Sequence, residues 1–296
     1  MSSTSTKRKR GVTCVIPYYG GDRDVVDYYA DPLLDCQHVT IPFCGGCSMI
    51  YRLSEHDAAA QHINASDLNW YAVNLGRVLA NKETREEFLF YIEFMPLADV
   101  EMQSSISRLI QQSLNLKDLV KRGGCSTHLA VCYFATAWQG RSGAAGTGRE
   151  GVQTQCSKRW IPSGGSSAKR WVSAIDAVRE VWGSMQATTT FCNRSAFDLL
   201  PDVQDSRDCG IYCDPPWFDV GDKYAFPFLP TDHLKLCEQL GRFEQTRVVI
   251  RYGADDRVRQ IYSDASRWTI TEISSRNQAN NSVDELLIQN VRTAEA

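Results

Sequence analysis

No strand or helix can run through residues 214–216 of this chain. Two consecutive prolines, Pro215 and Pro216, each fix φ at about −65°, lack a backbone N–H, and push the preceding residue out of the helical region. Directly upstream, Cys209-Gly210-Ile211-Tyr212-Cys213 is a short apolar run that reads as a buried strand. A strand that stops at Asp214-Pro215-Pro216-Trp217 leaves a carboxylate, two rigid turn residues and an indole at its carboxyl end. Ligands bind outside that edge in open α/β sheets.

The rest of the chain carries the same rhythm. His38 to Pro42 reads as a strand entering a glycine-rich turn, with a helix from about Ser48, and Ile63 to Asp67 reads as a second strand. A helix near Asp232 to Leu240 and a strand from Arg247 to Arg251 follow the proline pair. This alternation predicts an α/β fold, one doubly wound sheet carrying one large insertion, with no repeat at a solenoid or propeller period. The 296 residues, 43% hydrophobic and 23% charged, suffice for such a core and argue against a disordered chain. No stretch approaches the roughly 18 apolar residues of a membrane span, so a soluble protein without a membrane partner is expected.

The net charge of −3 hides an asymmetry. Between Glu101 and Thr190 there are eleven Lys and Arg against five acids, which makes the segment +6 and the remainder −9. A basic middle on an acidic remainder suits a nucleic-acid-facing insert, because phosphate attraction is local. Within it, Gln139–Gly151 and Ser163–Ser167 read as mobile loops. Arg141, Lys158, Arg159, Lys169 and Arg170 are candidates for phosphate contact, and Trp160 for base stacking. Trp171 and Trp182 instead follow helical spacing with Ile175 and Val178, and are expected in the core.

Residues 1–11 read as a disordered tail. The run Lys7-Arg8-Lys9-Arg10 is taken as a solvated terminus, and no apolar segment there makes a secretory signal. Eleven cysteines without such a signal point to free thiols in a reducing compartment. Cys44-Gly45-Gly46-Cys47 has the spacing of a redox dithiol or half a zinc site, but Cys209 and Cys213 have a different spacing and lie in a strand. The five histidines form no ligand pattern, so no metal is expected.

Six stretches, taken in chain order, resemble motifs of one enzyme family. They are Pro17-Tyr18-Tyr19-Gly20-Gly21, Pro42-Phe43-Cys44-Gly45-Gly46-Cys47-Ser48, Asp67-Leu68-Asn69, Tyr212 to Trp217, Ile273-Ser274-Ser275 and Ser282 to Leu287. The family is that of the Dam-like (α-class) S-adenosylmethionine-dependent, adenine-specific DNA methyltransferases, and the resemblance runs from about Val12 to Ile288. It implies a Rossmann-like methyltransferase sheet made of residues 12–84 and 190–296, with a mainly helical target-recognition region inserted at 85–189. It implies S-adenosylmethionine as cofactor, held by Tyr18, Tyr19, Gly20, Gly21, Pro42, Phe43, Cys44, Gly45, Gly46, Asp67, Asn193 and Asp214, with Ser195 beside Asn193. Asp214, Pro215, Pro216 and Trp217 would be catalytic, acting on an adenine flipped out of double-stranded DNA. A cytoplasmic enzyme of a prokaryotic or phage-infected cell, compatible with a monomer, is implied as well.

The chain departs from the family pattern at three places. Asp22 stands where a Lys is usual, Ile41 where an acid often precedes Pro-Phe, and Trp217 where Tyr is common. An indole also presents a flat π-face to a flipped base. Adenine methylation in RNA, methylation of cytosine's exocyclic amine, and a non-catalytic DNA-binding relative are the alternatives. A cytosine enzyme would more typically carry Ser where Asp214 stands, and the intact Asp214-Pro215-Pro216 argues against loss of catalysis.

Overall fold

The computed structural model describes residues 14–18, 25–54, 62–140, 145–147, 152, 167–180, 189–219, 221–276 and 282–291. Its framework is a seven-stranded sheet. The strands are β1 (His38–Ile41), β2 (His62–Ser66), β3 (Thr189–Cys192), β4 (Cys209–Cys213), β5 (Arg247–Gly253), β6 (Trp268–Arg276) and β7 (Ser282–Asn290), arranged β3-β2-β1-β4-β5-β7-β6. The first five strands in that spatial order are parallel, and β7 runs antiparallel to both β5 and β6.

The expected strands are present, with ends shifted for local reasons. β1 stops at Ile41, just before Pro42, and β2 ends at Ser66, which leaves Asp67 outside the ladder. β5 continues to Gly253, and its five consecutive buried residues, Val248 to Tyr252, mark a strand covered on both faces. The β6–β7 ribbon occupies the segment that the sequence reading matched only as motifs.

Of the connections, α1 (Val26–Ala30) precedes β1, α2 (Ser48–Ser54) joins β1 to β2, and α3 (Trp70–Ala80) leaves β2. The insert then supplies α4 (Lys82–Phe94), α5 (Asp99–Gln111), α6 (Ser113–Lys121), α7 (Thr127–Gln139) and α8 (Ser167–Glu180) before the chain returns to the sheet. The described part of the insert is mainly helical, but its edges differ from 85 and 189. Asn81 ends α3 and caps α4 by accepting the N–H groups of Glu83 and Thr84, and Thr189 already belongs to β3.

The insert also shares a core with the sheet. All of α7 except His128 is buried, and Tyr133, Phe134 and Trp171 join one apolar cluster with Val39, Ile41 and Tyr71. Trp171, Ile175 and Val178 lie in the core, as their spacing predicts. A second cluster, with Ile211, Leu236, Val248, Ile250, Leu286 and Ile288, includes residues of α10 (Pro230–Leu240) and α11 (Asp256–Ile261). The short α9 (Ala196–Leu199) follows β3. Among the described residues no helix is long and apolar enough to cross a membrane.

The expectation of a mobile loop over Gln139–Gly151 needs correction. Gln139 is the last residue of α7, and Ala145–Thr147 is pinned, with Ala145 bridged to Tyr18, Thr147 bridged to Tyr224, and the N–H of Ala225 donating to the Gly146 carbonyl at 3.2 Å.

At Gly76 in α3, a Cβ would stand 2.4 Å from the buried Phe191 ring, so helix and strand approach only because the side chain is missing. Gly76→Ala gains helix propensity but overpacks this contact, and is expected to lower unfolding free energy by about 1–2 kcal/mol in urea titration. Unchanged or increased stability would contradict that packing.

Candidate functional site

The strand order puts β1 between β2 and β4: the chain runs outward from β1 to β2 and β3, then crosses back past β1 to β4 and on to β5. The carboxyl ends of these strands therefore frame the topological crevice. Asp67 follows β2, Asp214 follows β4, and the Pro42–Ser48 loop stands between them at the end of β1.

Asp67 stitches this edge together. Its Oδ2 accepts the N–H of Gly45 and its Oδ1 the N–H of Asn69, both at 2.9 Å. Asn69 is buried and caps α3 by accepting the N–H groups of Tyr71 and Ala72. Its Nδ2 donates to the hydroxyls of Tyr18 at 3.3 Å and of Tyr133, from the insert, at 3.1 Å. Asn193, just past β3, donates to the carbonyls of Asp67 at 2.7 Å and Leu68 at 3.1 Å. Four of the residues expected to hold a ligand, Tyr18, Gly45, Asp67 and Asn193, thus belong to one hydrogen-bonded unit. Ser195 caps α9 instead.

Burial raises the Asp67 carboxyl above the ordinary range, against the backbone N–H bonds from Asn69, Gly45 and Leu68. Among the described residues no Lys or Arg forms an ion pair with it. Burial also raises the phenols of Tyr18 and Tyr133, which stay protonated.

The glycine pair has an occupant from this chain. A Cβ on Gly45 would lie 3.3 Å from the Tyr18 ring, one on Gly46 2.8 Å from the Ile16 carbonyl, and one on Gly146 2.4 Å from Tyr18. Gly45 has φ +44°. Part of what the sequence offers as room for a ligand is thus room for Tyr18.

At β4 the Asp214 carboxylate is held from two sides. Arg251 Nη1 donates to its Oδ2 at 2.8 Å, and Trp217 Nε1 donates to its Oδ1 at 3.3 Å. Arg251 also donates from Nε and Nη2 to the two oxygens of Glu285, at 2.8 and 2.9 Å, and the Tyr29 hydroxyl donates to Glu285 at 3.1 Å. The guanidinium lies 4.9 Å from the centre of the Trp217 ring. Burial opposes its charge, but Asp214 and Glu285 outweigh that and raise its pKa further. The phenol of Tyr29 is raised by burial and by Glu285, so it remains a donor.

Arg251 and Tyr29 were missed by sequence reasoning, and Glu285 entered it only as part of the closing Ser282–Leu287 motif, without a role. The available signal was a lone Arg in the run Val248 to Tyr252 and the acid pair Asp284-Glu285 before Leu286-Leu287-Ile288, of opposite sign on strands that pair with Arg251 opposite Leu287 and Gly253 opposite Glu285.

Aromatic side chains surround this end of the sheet. Phe43 meets Phe228 edge-on at 5.7 Å, Phe228 stacks on Phe197 at 5.9 Å, and Phe218 lies on His233 at 3.8 Å between ring centres. Pro215 is buried, and Pro216 and Trp217 are half-buried.

The other candidates fare differently. Cys44 is buried, and its hydrogen bond with Cys47 together with burial raises its thiol, the opposite of an activated thiolate. Both cysteines are free thiols, and among the described residues no group of His, Cys, Asp and Glu is arranged to hold a metal. Lys169 is exposed on α8, whereas Arg170 lies 5.8 Å over the Trp138 ring. Other insert cations also engage the insert or its neighbours, Lys117 over Trp70 and Arg179 with Glu93 and Asp176. Tyr19, Gly20, Gly21, Arg141, Lys158, Arg159, Trp160 and Trp182 lie outside the described residues. Comparison of the chain with protein-family models and with curated proteins gives no match.

His233 is buried behind the Asp214 turn, with Nδ1 2.8 Å from the Tyr252 hydroxyl, and burial pushes its pKa down to about 4. The unfolded chain therefore binds a proton that the native state refuses between about pH 6.5 and 4, and stability falls as pH drops through that window. The loss is expected to reach about 3 kcal/mol, and His233→Asn should flatten that part of the profile in urea unfolding at stepped pH. Parallel profiles for the two proteins would contradict the buried neutral imidazole.

Proposed function

We propose that this protein transfers a methyl group from S-adenosylmethionine to the exocyclic amine of adenine in a short duplex DNA sequence. The observation that carries the reading is the pair of carboxylates at the strand ends, Asp67 beyond β2 and Asp214 beyond β4, separated by the Phe43–Cys47 loop of β1. The seven-stranded, mostly parallel sheet is compatible with the Rossmann-like fold on which this reading relies.

The residues fit the cofactor. Asp67 is a half-buried acid whose fixed partners are backbone donors, and its acceptor oxygens suit the hydroxyls of a ribose. Phe43 and Trp217 supply flat apolar surface, and the acids favour a cationic sulfonium. Pro42, Cys44 and Gly46 shape the loop backbone, and Asn193 holds the turn that carries Asp67.

When bound, S-adenosylmethionine would supply an electrophilic methyl group, with the neutral thioether S-adenosylhomocysteine as leaving group and one amine proton released to solvent. The exocyclic amine of adenine is a weak nucleophile because its lone pair is delocalised into the ring. Asp214 and the Pro215 carbonyl accept the N–H hydrogens, draw the lone pair onto nitrogen and stabilise the positive charge that develops there. The proline pair keeps that carbonyl and carboxylate from relaxing away. Trp217 stacks on the extruded base, its own N–H satisfied by Asp214. The helical insert is the target-recognition region, with Lys169 among its phosphate contacts.

Incubation of wild type and Asp214→Ala with labelled S-adenosylmethionine and, separately, duplex DNA, single-stranded DNA and RNA tests this, read by nucleoside mass analysis. Methyladenine from duplex DNA is expected, reduced at least about a hundredfold in the variant. No label in any nucleic acid, label confined to RNA or to cytosine, or full activity of the variant would overturn it.

A further inference from the structure

Of the charge network behind Asp214, only Glu285 falls in a sequence motif, the closing Ser282–Leu287 stretch, and the resemblance gives it no role. We propose that Arg251 is the positioning residue of this site, holding the Asp214 carboxylate as a fixed acceptor at the sheet edge, with Glu285 holding Arg251 back from the edge. The inference deepens the methyl-transfer reading and rests on it.

The geometry is asymmetric. The guanidinium makes a two-point fork with Glu285 and a single end-on bond to Asp214, all at 2.8–2.9 Å. The Arg251 and Glu285 side chains are each 4% exposed and Asp214 is 20% exposed. Of the three charges, Asp214 therefore reaches furthest toward solvent. One cation between two carboxylates leaves the trio with a net single negative charge, and the fork assigns most of the guanidinium to the deeper acid. The exposed acid keeps its electron-donating character without becoming an isolated buried charge. Glu285 is itself oriented by the Tyr29 hydroxyl, so α1 (Val26–Ala30), β5 and β7 all bear on the rotamer of one carboxylate beyond β4.

Among the described residues, the Cys213 thiol, the Tyr252 phenol and the Tyr29 phenol near Asp214 carry no charge at neutral pH. Cys213 on β4 is raised by burial and by Asp214, Tyr252 on β5 is raised mainly by burial, and Tyr29 on α1 stays protonated. Tyr212, the remaining neighbour on β4, presents a phenol against Tyr29. Among these groups the charge state of Asp214 therefore depends on Arg251. Without that cation the Asp214 carboxylate loses its charged donor at 2.8 Å in a poorly solvated place and takes up a proton more readily, whether or not Glu285 is present. A protonated Asp214 donates a hydrogen bond where the adenine amine needs an acceptor, so the rate falls at a higher pH.

Arg251→Met alone leaves Glu285 buried and uncompensated, and it can fail to fold. The informative protein is therefore Arg251→Met/Glu285→Leu, which removes both charges, with Arg251→Lys as the variant that keeps the positive charge but loses the fork. Two readouts are taken across pH: the rate of methyl transfer to duplex DNA, and the 13C signal of the Asp214 carboxyl, assigned by its loss in Asp214→Asn. In the double variant the acid limb of the rate profile and the Asp214 titration are both expected to move up by at least one pH unit, about tenfold in proton affinity. KM for S-adenosylmethionine should change less than threefold, and Arg251→Lys should recover most of the shift. An unmoved Asp214 titration in a folded double variant overturns the proposal, as does a change confined to KM. If wild type transfers no methyl group the functional reading fails, while the carboxyl titration still decides whether Arg251 sets the charge of Asp214.

Discussion

Two backbone N–H groups, those of Gly45 and Asn69, point at one carboxylate, and the working edge of this protein depends on that arrangement. By accepting both, Asp67 ties the loop after β1 to the turn after β2. The tie is local and polar, yet it recruits distant parts of the chain through Asn69. That side chain caps α3, fixes the Tyr18 ring and reaches Tyr133 on the helix at the centre of the insert. A helical insert that shares its core with the sheet is therefore hydrogen-bonded to the same node as the glycine loop. A change in the insert's packing has a direct physical path to the crevice.

The two acids at that crevice are built on opposite principles. Asp67 is surrounded by backbone donors, and burial raises its pKa. Asp214 is surrounded by side chains and held by a guanidinium that belongs mainly to Glu285. The first arrangement suits recognition of neutral hydroxyl donors, since backbone N–H groups cannot move away. The second suits a group that must keep its charge while chemistry proceeds beside it, because the compensating cation is anchored from behind. Between them, the aromatic rings around Phe43, Phe228 and His233 form an apolar wall behind the Asp214 turn.

How much of this could be read beforehand follows from the range of each interaction. Strand ends were legible because they are written locally, as an apolar run stopped by Pro42 or by Pro215-Pro216. The core position of Trp171 was legible from helical spacing with Ile175 and Val178. The glycine loop was legible as a tight approach but not for its cause, since Tyr18, which fills it, and Gly146, which lies against Tyr18, are far from it in sequence. Arg251 and Glu285 lie 34 residues apart and meet only through the register of β5 against β7. Charge counting over the insert overstated its free basic surface, because Arg170 and Lys117 cover tryptophan rings and Arg179 pairs with acids. A composition sum has no means of subtracting such contacts.

Calorimetric titration of S-adenosylmethionine into wild type and Asp67→Asn tests the central claim most directly, because it asks whether the Asp67 edge is a cofactor site independently of any nucleic acid. Saturable one-to-one binding to wild type is expected, weakened at least about tenfold in the variant while its unfolding transition stays cooperative, since one charged acceptor is lost from the ribose contact. No saturable binding to wild type, or equal affinity in the two proteins, would contradict the claim.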